Sequence, residues 1–100
     1  MEASREGMVV LVAEDDPHAL SGYLEFLGRS GFVASGCRDG KEALGLAVET
    51  VPDIVVTDIN IPGLDGFALA AAIRADRRTR HVPLIGMTAH WSTERIRASR

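Results

Sequence analysis

Two groups of acidic residues carry the chemical interest of this 100-residue chain. Glu14-Asp15-Asp16 directly follow the apolar run Met8-Val9-Val10-Leu11-Val12-Ala13, and Asp58 closes a second run, Asp53-Ile54-Val55-Val56-Thr57-Asp58. Clustered carboxylates repel one another, so without a cation one of them keeps a proton near neutral pH. An oxygen-only donor set of carboxylates and a carbonyl suits Mg2+, which retains waters and shares phosphate oxygens. A carboxylate can also attack phosphorus to give an aspartyl phosphate. Thr88 ends a third apolar run, Val82 to Thr88, and offers a hydroxyl that can donate to a phosphoryl oxygen. The plainer reading of the same acids is as strand-ending caps and turn residues. Asp16, followed by Pro17, has the form of a helix N-cap with proline at the first helical position.

The elements that position these residues alternate in type. Met8 to Ala13 is apolar on both faces, as a central parallel strand covered by helices requires. Leu20, Tyr23, Leu24 and Leu27 then recur at helical spacing, with Gly31 as the expected C-cap. Phe32 to Cys37 reads as a more exposed strand, and Asp39 with Glu42 as a variant of the capping box. Leu44, Ala47, Val48 and Val51 line the second helix, which Pro52 stops. Asp53 to Asp58 is the third strand. Asp65 caps a third helix running to about Ala75, with Phe67, Leu69, Ala70 and Ile73 expected on its packing face. A polar stretch from Asp76 to His81 leads into the fourth strand, and Ser92-Thr93-Glu94 start a fourth helix. This alternation predicts an α/β fold with a parallel sheet, right-handed crossovers and helices on both faces. In such a sheet function gathers beyond the carboxyl ends of the central strands, where the first and third strands deliver Glu14, Asp15, Asp16 and Asp58 together.

Composition narrows the function classes. At 46% hydrophobic and 25% charged the chain is an ordinary globular one of a single domain. No apolar run approaches the roughly 20 residues of a membrane span, and the mixed-charge start does not resemble a secretory signal. The one cysteine, Cys37, excludes an internal disulfide and reads as a packing residue. The net charge of −3 is uneven: residues 1–73 carry four basic against twelve acidic residues, net −8, and residues 74–100 carry seven arginines against two acids, net +5. Arg74, Arg77, Arg78 and Arg80 fall where cations suit the end of the third helix. Without an aromatic stripe among them they predict no direct nucleic-acid binding, and an acidic partner fits them better. His18, His81 and His90 have no metal-ligand spacing and read as solvated, Trp91 reads as packing at the start of the fourth helix, and no phosphate-cradling glycine loop is present.

Three segments resemble the receiver domain of two-component response regulators: Val10-Leu11-Val12-Ala13-Glu14-Asp15-Asp16-Pro17, Asp58-Ile59-Asn60-Ile61-Pro62-Gly63-Leu64-Asp65-Gly66, and Pro83-Leu84-Ile85-Gly86-Met87-Thr88-Ala89. The resemblance implies a flavodoxin-like three-layer fold with strand order 2-1-3-4. It implies that Asp58 is the phosphoacceptor and that Asp15, Asp58 and the Asn60 backbone carbonyl ligate Mg2+, with Glu14 acting through water. Thr88 becomes the switch hydroxyl. The implied donor is a histidine kinase or histidine phosphotransfer protein, the expected location of the chain is the cytoplasm, and a second copy is an expected partner through the fourth helix and fourth strand. Such a domain catalyses its own phosphorylation and dephosphorylation rather than substrate turnover.

The pattern departs from the family at one end. Receivers carry a fifth strand ending in a lysine, and a fifth helix; only twelve residues follow Thr88 here, and the chain's single lysine, Lys41, opens the second helix. The expected organisation is a leader over residues 1–7 and a receiver over 8–100 that is C-terminally incomplete. A non-phosphorylated pseudo-receiver acting as a protein-interaction module is the alternative. A magnesium phosphohydrolase of the haloacid-dehalogenase type is a further one, although its Asp-x-Asp pattern belongs after the first strand.

Overall fold

A computed structural model describes residues 7–87. Strands β1 (Val9–Ala13), β2 (Val33–Cys37), β3 (Ile54–Asp58) and β4 (Leu84–Met87) alternate with helices α1 (Pro17–Arg29), α2 (Gly40–Thr50) and α3 (Gly66–Ala75). The four strands form one parallel sheet in the order β2-β1-β3-β4, so the two most apolar strands are central neighbours as expected. Thr88, His90, Trp91 and the expected fourth helix lie outside the described residues.

The caps are the ones the side chains call for. Asp16 accepts from the His18 N–H, Asp39 from the Lys41 and Glu42 N–H groups, and Asp65 from the Ala68 N–H, each satisfying donors that the first helical turn leaves free. At the other end of α1 the C-cap is Ser30, and Gly31 follows it with φ 98°. Its N–H donates to Gly28 and the Phe32 N–H to Leu27, a Schellman closure that needs a residue free to adopt a positive φ.

The two faces of the sheet differ. Leu11, Ala13 and Val55 point to one side, where they pack with Ala43 and Ala47 of α2 and Leu69 and Ile73 of α3 in a closed core. Val12 and Val56, one position along, face α1 and line a groove of about 140 Å3 with Tyr23, Phe26, Leu27 and Met87. No residue of α1 is fully buried, and Phe26 and Ile85 stay 69% and 50% exposed.

Several expectations shift. Phe67 is 73% exposed rather than packed, because α3 turns Gly66, Leu69 and Ile73 inward and Phe67 falls on the opposite side. Val51 does not line α2 either: it is the C-cap, held left-handed at φ 45° and exposed. Strands two, three and four begin at Val33, Ile54 and Leu84, each one or two residues later than the apolar pattern indicated. Val82 is buried all the same, below the turn in which the Thr79 hydroxyl donates to the Ile73 carbonyl.

Candidate metal and phosphoryl site

The pairing of β1 with β3 places Ala13 opposite Thr57, so the residues that follow, Glu14 and Asp58, leave the sheet side by side. Main-chain hydrogen bonds fix both exits. The Glu14 N–H donates to the Cys37 carbonyl on one flank and the Ile59 N–H to the Met87 carbonyl on the other, each at 2.9 Å. The turn after β3 is anchored twice, by the Gly40 N–H on the Pro62 carbonyl and the Gly66 N–H on the Ile59 carbonyl, both at 2.8 Å. Gly66 allows this: a Cβ there would stand 2.8 Å from Ile59 Cα and 3.0 Å from the Asp58 carbonyl oxygen. Helix α3 therefore starts directly against the backbone that carries Asp58.

Within this frame Glu14, Asp15 and Asp58 bring one carboxylate oxygen each within 4.8 Å of the others. Glu14 and Asp58 are buried, at 0% and 2% exposure, and Asp15 is half-buried. Glu14 Oε2 accepts from the Asp16 N–H at 3.0 Å, and Asp58 Oδ1 from the Asn60 N–H at 3.3 Å. The other oxygens, Glu14 Oε1 and Asp58 Oδ2, are buried without a hydrogen-bond partner among the described residues. Burial pushes the Glu14 carboxyl above its ordinary range; the charge of Asp58 and the adjacent Asp15 carboxyl, which favours a shared proton and repels a second charge, push the same way, against the stabilising Asp16 N–H. Two buried acceptors without donors, in a group of like charges, match what a hard divalent cation takes as ligands.

The predicted site residues thus separate. Glu14, Asp15 and Asp58 come together, and Asn60 sits one turn of backbone from Asp58, its N–H committed and its carbonyl unused among the described residues. Asp16 acts as the cap of α1. Lys41 is exposed on the first turn of α2, and Cys37 is buried, its thiol pushed up to about 11 chiefly by desolvation. Arg38 is the residue that sequence reasoning passed over: its Nε donates to the Asp15 backbone carbonyl at 3.0 Å. Its signal was present, since an arginine directly after the strand beside β1 must emerge next to the acidic exit.

The family described as the response regulator receiver domain matches residues 10–99. This chain belongs to that family. Its relatives include the transcriptional regulatory protein PrrA of Mycobacterium leprae, 42% identical over 85 residues. That match takes in 85% of this chain but 36% of PrrA, so the chain spans about a third of that regulator's length. The polar-differentiation response regulator DivK of Brucella ovis is 33% identical over 91 residues, covering 88% of this chain and 74% of DivK. Among solved structures, the chemotaxis response regulator CheY4 of Vibrio cholerae superposes with a TM-score of 0.81 at 25% identity, over 91% of this chain and 76% of that one. The receiver domain of the Pseudomonas aeruginosa sensor histidine kinase PA1611 gives the same TM-score at 30% identity, over 90% and 75% of the two chains, and holds magnesium in its active-site cleft. The receiver fold with strand order 2-1-3-4 is the one observed here, and membership sets the haloacid-dehalogenase alternative aside. No helix among the described residues is long and apolar enough to cross a membrane.

Proposed function

We propose that this receiver works in the cytoplasm in two-component phosphorelay signalling, taking a phosphoryl group on Asp58 from a histidine kinase or histidine phosphotransfer protein. The observation that carries the reading is the unpartnered Asp58 Oδ2, buried beside Glu14 and Asp15 at the carboxyl end of the central strands. That oxygen has no donor to displace among the described residues and can form a bond to phosphorus as the donor's phosphorus–nitrogen bond breaks and the imidazole leaves with that electron pair. Asp58 Oδ1, meanwhile, is steadied by the Asn60 N–H. Asp15, Asp58 and the Asn60 carbonyl are the proposed ligands of Mg2+, with Glu14 reaching it through water. The chemistry Mg2+ supplies when bound is neutralisation of this acidic cluster and polarisation of the phosphoryl oxygens. Thr88, the next residue after Met87, is the proposed switch hydroxyl.

Incubation with labelled acetyl phosphate tests the reading. Wild-type protein takes up label with Mg2+ present and loses that uptake on chelation, and Asp58→Asn takes up none. Label retained by Asp58→Asn contradicts the assignment.

A further inference from the structure

We infer that Arg38 is a cation that receives and orients the incoming phosphoryl group, an inference that rests on the reading of Asp58 as phosphoacceptor. Arg38 follows the last residue of β2, and β2 pairs with β1 up to Ala13 opposite Cys37, so Arg38 and the Glu14-Asp15 exit leave the sheet together. Its Nε is tied to the Asp15 carbonyl at 3.0 Å. Its terminal nitrogens make no hydrogen bond or ion pair with any other described residue, and the side chain is exposed. The guanidinium is therefore held at the lip of the site by a neutral carbonyl, with its charge not taken up by a carboxylate. Arg78 shows the contrast, both of its donor edges being engaged by Asp76.

The site needs such a charge. Its three clustered carboxylates outweigh one divalent ion, and a phosphoryl donor is itself anionic. A guanidinium matches phosphoryl oxygens with a planar fork of donors and stays charged at any working pH. In transfer from acetyl phosphate the Asp58 oxygen–phosphorus bond forms as the bond from phosphorus to the bridging oxygen breaks, and acetate leaves with that electron pair. Arg38 gives up no proton in this step. It binds phosphoryl oxygens and holds them over Asp58.

The test compares wild type, Arg38→Gln and Arg38→Lys in two readouts: Mg2+ affinity by calorimetry, and the rate of phosphoryl uptake from acetyl phosphate. Glutamine keeps an N–H donor for the Asp15 carbonyl and removes only the charge. The two readouts should then move in opposite directions. Mg2+ should bind Arg38→Gln about threefold more tightly, because a repelling charge has gone. Uptake should slow about tenfold, because the phosphoryl loses a charged donor. Arg38→Lys restores both to within about threefold of wild type. A glutamine variant that matches wild type in both readouts overturns the proposal, and so does one in which both fall together, which marks a structural tether. Wild-type protein that takes up no phosphoryl overturns the Asp58 reading and this inference with it. Normal wild-type uptake unchanged in Arg38→Gln overturns this inference alone.

Discussion

Asp76, in the turn after α3, has every carboxylate oxygen engaged: Oδ1 accepts from the Arg78 N–H and Nε, and Oδ2 from Nη2 at 2.8 Å. Glu14 and Asp58 lie at the opposite end of the strands, almost without exposure, and each leaves an oxygen bare. The pairings run against the usual expectation, since a buried charge is normally the one that is paired. At Asp76 the arginine lowers the carboxyl to about 2, and the residue shapes a turn. At Glu14 desolvation and two neighbouring acids raise the carboxyl instead. Uncompensated burial of this kind costs stability, and a fold keeps it where a ligand supplies the missing charge.

The contrast can be broken most sharply with magnesium. Asp58→Asn should weaken Mg2+ binding by at least about tenfold, since loss of even an outer partner of a metal does as much. Asp76→Asn should leave it unchanged. Calorimetric titration of both variants reads this directly, and equal affinities would remove the distinction between the two settings.

A smaller effect separates the two by pH. The folded Glu14 carboxyl stands above its ordinary 4.5, so the folded state holds the proton more tightly than the unfolded chain. Its contribution to stability is full below about 4.5 and is lost as pH rises through the folded value. In chelator, urea denaturation should show wild type losing stability across that window and Glu14→Gln lacking the slope, with Mg2+ offsetting the loss. Asp76 has the opposite sign: its contribution is present above 3.8 and fades as pH falls toward about 2.

The smallest expected effect is that of Asp76→Asn on stability at neutral pH. The pair with Arg78 is largely solvent-screened, and exposed ion pairs contribute little. Its thermal midpoint should match wild type within measurement error, and a clear drop would show that the turn depends on this pair.

Much of this was legible in the residues because it is local. Asp16-Pro17, Asp39 and Asp65 announce their helices through side chains that can reach N–H groups two or three residues on. The continuous apolar runs of β1 and β3 announce central strands, and the acids that follow are then brought together by sheet geometry alone. What was not legible depends on contacts between distant segments. Phe67, Leu69, Ala70 and Ile73 are all apolar, so their pattern alone did not show that Phe67 would face water. Val51 continued the apolar spacing of α2, yet Pro52 follows it, and the helix has already closed at a left-handed residue. The Arg38 tether joins residues 23 positions apart on neighbouring strand ends, so it could be read only by first setting β2 beside β1 and not from any short-range pattern.

Trapping the acyl phosphate tests most directly whether Asp58, rather than Glu14 or Asp15, takes the phosphoryl group. Borohydride reduces an acyl phosphate to an alcohol and leaves free carboxylates untouched. Wild-type protein treated with acetyl phosphate and Mg2+, trapped with borohydride and mapped by peptide mass spectrometry should show reduction at residue 58 alone. Reduction at Glu14 or Asp15, or none at any of the three, would contradict the account.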